Sequence, residues 1–423
     1  MKRILYTILL AIGTLSFSSC TDYINVDKYF YDQVSLDSAF SKRVYVEGWL
    51  SSAYSVMDYI GEYREPFRWA SDDLYHPDMK DYVEGNYSAD NQLGDEAEAR
   101  KGESRLWKYY EGIRKASTFI VNVDRCPELT MDEIADMKGQ ARFLRAYCYW
   151  ALIRVYGPVP LIPLEGLDVN LSYEELSLPR EHFDNLVDFI DQELAESARS
   201  LPTKRTVNNL GRPTRGAALG LRSRVLLYAA SPLFNGNTDQ ASVKNKDGKQ
   251  LFPQTEDNSK WTQARDAYER FMTFATGQGY KLTEVYTNGK LDPYASCRAA
   301  GEFFTTTWEA VDELIFVKLR DLYDYTYWVC PKFTDFQDTD VTGGGGYYTT
   351  QETVDLFFTK AGLTIEEDPG YDKFEGIPGA NNFTSGRYYD PNNPSRLYFD
   401  ADKSKVLKQW KDREPRFYVN ITY

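Results

Sequence analysis

Along most of the first two thirds of the chain, apolar residues recur every three or four positions, the spacing of amphipathic helices. The clearest case is residues 139–163, GQARFLRAYCYWALIRVYGPVPLIP. Phe143, Leu144, Tyr147, Ala151, Leu152 and Val155 form its apolar stripe, and Arg142, Arg145 and Arg154 punctuate it. A glycine followed by proline, Gly157-Pro158, stops it. Thr130 and Glu133 form a capping box that opens the same helix upstream. Other helices are predicted over residues 37–60 (Phe40, Val44, Trp49, Tyr54 and Met57 inward), 103–124 (Leu106, Tyr109, Tyr110, Ile113, Ala116, Phe119 and Ile120) and 180–200 (Phe183, Leu186, Val187, Ile190 and Leu194). Two more cover residues 215–230, entered through Gly211-Arg212-Pro213-Thr214, and 261–276. Paired amphipathic helices bury their apolar faces only against one another, so the chain reads as mostly α, a helical-repeat array without a strict sequence period.

Two regions break this pattern. Residues 61–102, rich in Gly, Asp, Asn and Pro, predict a long loop, and loops of that length inside a domain usually carry function or are mobile. After about residue 286 the chain becomes a loop-rich, irregular half with few short strands. Tyrosine- and tryptophan-rich loops and the Gly343–Gly346 run there separate short apolar pieces such as residues 313–317, with one helix near residues 350–359.

At the N-terminus, Lys2 and Arg3 precede an apolar run over residues 4–15, then Ser16, Ser18, Ser19 and Cys20. A basic start, a short apolar core and small residues make a secretory signal, and the run is too short to span a bilayer. A cysteine directly after the small residues has the form of a relaxed bacterial lipobox. The organisation read from this is a signal peptide (1–19), a tether lipidated at Cys20 (20–36), and one domain (37–423) with a helical core over about 37–285. Acyl chains on Cys20 would hold the protein at a membrane. Cys126, Cys148, Cys297 and Cys330 lack metal-ligand spacing, and no disulfide pairing follows from them.

A formal charge of −14 over 423 residues, with no basic stripe, disfavours nucleic acid as a partner. Aromatic residues make 15 % of the chain, 33 of them tyrosines. Such side chains suit carbohydrate, peptide or protein partners, and equally the packing of helical arrays. Catalytic groups are hard to find. His76 and His182 are the two histidines, and neither a nucleophile elbow, a zinc-protease pattern nor a phosphate-cradling glycine loop is present. Carboxylate pairs such as Asp72-Asp73 and Glu366-Glu367 have the composition for glycoside hydrolysis, but among 63 acidic residues they read as solvated surface, as does the acidic turn at residues 95–98. Sugar binding asks instead for flat rings under C–H faces with amides and carboxylates on the hydroxyls. Two segments offer that mixture: Trp69, Tyr75, Tyr82 and Asn86 in the first long loop, and Trp308, Tyr323, Tyr325, Tyr327 and Trp328 in the second half. The alternating tyrosines of the latter would share one side of an extended strand.

Four stretches in order resemble the SusD/RagB-type outer-membrane lipoproteins of Bacteroidetes. They are residues 139–162; GRPTRGAALGLRSRVLLYAASPLFNG at 211–236; WTQAR at 261–265 leading to GYKL at 279–282; and ELIF at 313–316 with TQE at 350–352 and DREPRF at 412–417. Glu414 stands where that family more often has Asp, and family members usually run well past this segment, so a C-terminally shortened chain is expected. The resemblance implies a TPR-like helical array, no catalysis and no cofactor or metal. It also implies a lipid-anchored position on the outer face of the outer membrane, beneath which a SusC-like TonB-dependent transporter receives captured oligo- or polysaccharide. Capture of oligopeptides, a glycoside hydrolase and a ligand-free helical scaffold stay as alternatives. The shared motifs are scaffold, so the resemblance makes Arg142 and Arg145 partners of buried carboxylates rather than a ligand site.

Overall fold

The computed structural model describes residues 36–58, 73–75, 84, 105–168, 170–301, 312–317, 348–371, 383–385 and 405–421. The helices are α1 (Leu36–Ala39), α2 (Arg43–Tyr54), α3 (Arg105–Asn122), α4 (Met131–Tyr156), α5 (Tyr173–Leu176), α6 (Phe183–Ser200), α7 (Arg215–Ala230), α8 (Ser259–Gly277), α9 (Pro293–Gly301), α10 (Gln351–Asp355) and α11 (Pro415–Asn420). Three antiparallel two-stranded ribbons accompany them: β1 (Leu74–Tyr75) with β4 (Tyr348–Thr349), β2 (Tyr286–Thr287) with β3 (Lys290–Leu291), and β5 (Phe383–Ser385) with β6 (Lys405–Leu407). The long helices pack in succession, α2 on α3, α3 on α4, α4 on α6, α6 on α7 and α7 on α8. This is the expected stack of helix pairs, mostly α with few short strands.

Helix α4 is the axis of the stack. Its residues are buried on nearly every side, as suits a central helix. Ile134, Met137, Ala141 and Leu144 face one core cluster with Phe40, Val46, Leu50 and Phe119. Phe143, Ala146 and residues 148–153 face a larger cluster with Phe183, Ile190, Leu194 and Val225. The exit is built as the sequence predicts: Gly157 has φ +65°, and a Cβ there would stand 3.0 Å from the Phe252 ring.

The entry is the predicted capping box. Thr130 Oγ1 accepts from Glu133 N at 3.3 Å, and Glu133 Oε2 accepts from Thr130 N at 2.9 Å. Arg43 adds a bidentate clamp on the same carboxylate, at 2.8 and 2.9 Å, tying α2 to the start of α4. The Arg43 guanidinium, with the Thr130 N–H and hydroxyl behind it, lowers the Glu133 pKa from 4.5 to about 2. A folded-state value below the unfolded one stabilises above the unfolded value and is lost as pH falls through the folded one. Wild type should therefore melt above Glu133→Gln at neutral pH, and the gap should close between pH 4.5 and about 2. A gap that does not change with pH would remove Glu133 from the clamp.

Some sequence expectations need correction. The helix over 37–60 is broken into α1, α2 and a 3₁₀ turn at Ser55–Asp58. Val44, expected inward, is 65 % exposed, because the buried stripe of α2 is Val46, Leu50 and Ala53 and a residue two positions before Val46 lands on the opposite side. Trp49, Tyr54 and Met57 are half-buried. Val155 is 43 % exposed, on a last turn with fewer neighbours to cover it. The helix near 350–359 closes after five residues, at Asp355.

Candidate functional site

Of the sequence-predicted ligand residues, Tyr75 lies among the described residues. Trp69, Tyr82, Asn86, Trp308, Tyr323, Tyr325, Tyr327, Trp328 and the lipidation candidate Cys20 lie outside them. Tyr75 ends β1, directly opposite Tyr348 of β4, with Leu74 opposite Thr349. Leu74 and Thr349 are half-buried, whereas Tyr75 and Tyr348 are 47 % and 53 % exposed. The period-two alternation of a strand thus puts both phenol rings on one solvent face.

Short ribbons are marginal by themselves, and this one is fastened from below. The Asp73 carbonyl accepts from Thr350 N at 3.3 Å and from Thr349 Oγ1 and Thr353 Oγ1 at 3.2 Å each. Thr350 in turn caps α10, its Oγ1 accepting from Thr353 N at 3.2 Å. Helix α10 is held by the third core cluster, where Val354 packs with Tyr294, Phe417 and Tyr418. Arg413 reaches beneath α10 and donates from Nη2 to the Val354 and Phe357 carbonyls at 2.6 and 2.7 Å. The late DREPRF segment therefore has a structural use: it supports the base on which Tyr348 stands.

The arginines of α4 behave as scaffold. Arg142 Nη1 donates to Glu193 Oε1 of α6 at 2.6 Å. Arg145 lies 3.6 Å from Glu193 Oε2, an attraction of charges rather than a hydrogen bond, while its Nη2 donates to the Ile162 carbonyl at 2.9 Å. Its guanidinium sits 4.7 Å from the Phe189 ring centre. Equivalent pairs join the rest of the stack: Arg205 with Asp136 at 2.7 and 2.8 Å, and Arg222 with Asp191 at 2.7 and 2.8 Å.

Two surface features escaped sequence reasoning. Tyr348 is one; its signal was the β-prone YYTT run before a helix cap, but its partner 273 positions away was not legible. The other is an open groove of about 830 Å³ between α7, α8 and residues 313–316. Phe143, Tyr147 and Leu221 lie at its base, and Trp261 and Tyr268, 42 % and 53 % exposed, project from α8. The exposed guanidiniums of Arg224 and Arg265 border it. Periodicity marked α8 as amphipathic, yet its buried residues are Ala264, Ala267 and Ala275; Phe271 and Phe274 lie half-buried against Gly220 and Gly216 of α7, while Trp261 and Tyr268 face outward.

Among the described residues no group of histidine, cysteine, aspartate and glutamate could hold a metal ion, and no helix is long and apolar enough to cross a membrane. Cys126, Cys148 and Cys297 are free thiols, and burial raises the pKa of Cys148 so that it stays protonated.

Comparison with known proteins places these features. A SusD-like family model, described as starch-binding and associating with the outer membrane, matches residues 33–227. The SusD family model matches residues 313–423. A SusD-like protein of Formosa agariphila is 24 % identical over 166 residues, 36 % of this chain and 31 % of that protein. The solved structure of BT4246 superposes with a TM-score of 0.67 at 24 % identity, over 90 % of this chain and 64 % of the other. A SusD-like protein from Bacteroides fragilis gives 0.59 at 22 %, over 92 % and 62 %. A SusD-like carbohydrate binding protein from the same species gives 0.50 at 18 %, over 79 % and 56 %. The chain spans less than two thirds of the length of each of these relatives. The structural likenesses show a shared fold, and proteins of this family bind without catalysing.

Proposed function

This chain belongs to the SusD family, and on that premise we propose that it is a cell-surface glycan-capture protein without catalytic activity. It is anchored to the outer membrane through Cys20 and hands oligo- or polysaccharide to a SusC-like TonB-dependent transporter. The observation that carries this reading is that the two family models, one of them described as starch-binding and associating with the outer membrane, fall in chain order, the first on the helical array and the second on the C-terminal part. The exposed tyrosines at the β1–β4 ribbon agree with it, since flat phenol rings suit the C–H faces of sugars. In this reading the aromatic segments around Trp69, Tyr82 and Asn86, and around Trp308, Tyr323, Tyr325, Tyr327 and Trp328, carry ligand contacts. Residues 37–423 act as one domain behind the signal and tether.

A second reading, capture of oligopeptides by the same architecture, draws on the groove between α7 and α8. An apolar floor with Trp261 and Tyr268 beside it fits extended or helical peptide segments.

Affinity gels and calorimetry with the protein lacking residues 1–19 should separate these readings. We expect saturable binding to at least one of soluble starch, laminarin, xylan and mannan, with no new reducing ends on long incubation. Retention of an oligopeptide pool with none of the glycans bound would replace the glycan reading by the peptide one. Release of reducing ends would overturn the non-catalytic assignment.

A further inference from the structure

We propose that the cleft between α6 and α7 binds the carboxylate or sulfate groups of an acidic polysaccharide, so that the captured glycan is a polyanion; this rests on the glycan reading above. The cleft is shallow, about 450 Å³. Among the described residues its lining comes from these two helices: Arg199 and the methyl groups of Ala195 and Ala198 on α6, and Arg215, Leu219 and Arg222 on α7. Arg215 and Arg222 lie two turns apart on one face of α7, about 10 Å along the helix. Two units of an extended polysaccharide cover the same distance.

The donors left over in this cleft set it apart. Arg215 is the first residue of α7. Its N–H bonds the Pro202 carbonyl and its Nε donates to the Ala198 carbonyl, both at 2.9 Å, so it closes the C-terminal end of α6. That scaffold task uses one guanidinium nitrogen. Among the described residues Nη1 and Nη2 have no acceptor, and no carboxylate pairs with Arg215. Other arginines withdrawn into the stack differ: Arg142 and Arg145 face Glu193, and Arg205 meets Asp136. Arg222 donates from Nε and Nη2 to Asp191 and keeps Nη1. Arg199, paired with Glu196, stands on the α6 wall with 72 % of its side chain exposed. An open Nη edge presents two parallel N–H donors, which match the oxygens of a carboxylate or sulfate. The chain carries −14 overall and repels polyanions at long range, so holding one requires a fixed local set of cations such as this. An open trough also suits an extended chain better than an enclosed small ion.

Calorimetry on the protein lacking residues 1–19, with polygalacturonate, alginate and chondroitin sulfate beside the panel above, tests this. At least one acidic polymer should bind more tightly than any neutral one. Arg215→Gln should weaken that binding about tenfold, the loss of a charge-assisted contact, and leave neutral glycans unaffected. Arg215→Lys should lie between, because the charge stays and the fork goes. Stripping the acid groups from the same polymer, by carboxyl reduction or desulfation, leaves the protein untouched and should weaken binding at least as much, whatever Arg215→Gln does to the α6–α7 junction. Unchanged affinity for the stripped polymer or in Arg215→Gln, or binding of neutral glycans alone, would overturn the cleft while leaving the glycan reading intact. Retention of polyglutamate with no acidic polysaccharide bound would overturn it in favour of an acidic protein partner. Failure to bind any polysaccharide, acidic or neutral, would overturn both readings.

Discussion

Replacing Arg413 with alanine is expected to loosen the C-terminal cluster while the helical array stays folded. The Arg413 side chain is almost wholly enclosed, with 1 % exposure. Besides the Val354 and Phe357 carbonyls, it donates from Nη1 to the Tyr371 hydroxyl at 2.8 Å and the Gln409 carbonyl at 3.3 Å. The guanidinium also lies 5.2 Å from the ring centres of both Tyr371 and Phe417. Among the described residues no carboxylate pairs with it, so carbonyl dipoles and ring faces take the place of its hydration. Alanine takes the side-chain donor from the Phe357 carbonyl and one of the donors from the Val354 and Gln409 carbonyls, which keep a backbone N–H and the Tyr371 hydroxyl, and it leaves a void beside them. Buried unsatisfied acceptors cost about 1–3 kcal/mol each, so a local loss of about 3–5 kcal/mol is expected. Hydrogen exchange followed by mass spectrometry reads this directly: protection should fall in α10, α11 and the β1–β4 ribbon and persist in α3, α4, α6 and α7. Tyr371 and its neighbours accept in a fan that lysine cannot reproduce, so Arg413→Lys should lie nearer alanine than wild type. Unchanged protection around α10 in Arg413→Ala would refute this role.

The second large effect is expected at Glu193. This carboxylate comes from α6, 7 % exposed, and faces both Arg142 and Arg145 of α4, the latter itself 3 % exposed. Glu193→Ala would leave the Arg145 cation buried with, among the described residues, the Ile162 carbonyl and the Phe189 ring against it. Removing one partner of a buried pair costs about 3–5 kcal/mol, more than the intact pair contributes, because the remaining charge stays desolvated. Global unfolding by urea, followed by circular dichroism, should shift accordingly, with Glu193→Gln intermediate because it still accepts from Arg142. Adding Arg145→Met to Glu193→Ala should recover part of the loss, as the stranded charge goes with it. Stability of Glu193→Ala equal to wild type would mean that water reaches Arg145 and the pair is not sealed.

These two residues also mark where sequence reasoning was strong and where it stopped. The periodicity of α3, α4, α6 and α7, the Thr130–Glu133 box and the Gly157 stop were all legible, because each is a relation among residues within one or two turns. The motif around Arg142 and Arg145 was rightly read as scaffold with a buried carboxylate partner. Which carboxylate was not readable: Glu193 sits in a helix whose other acids, such as Asp184 and Asp191, bond to Lys260 and Arg222 nearer the surface. Arg413 looked like one more charge in DREPRF until the chain folded four segments around it. Val44 went the other way, an apolar residue on a helical stripe that the neighbouring helix does not cover.

For the candidate site the division is sharper. Aromatic richness and loop texture pointed to Tyr75 as an exposed ligand residue, and composition could go no further. Tyr348 became its partner only through the β1–β4 register, and the groove beside Trp261 only through the way α7 and α8 pack. The sequence alone determined which segments coil and which face of most of them turns inward, since helix spacing and capping are local and written in adjacent turns. The tertiary structure alone decided which distant rings and charges meet, because such pairing depends on the crossing of elements far apart in the chain.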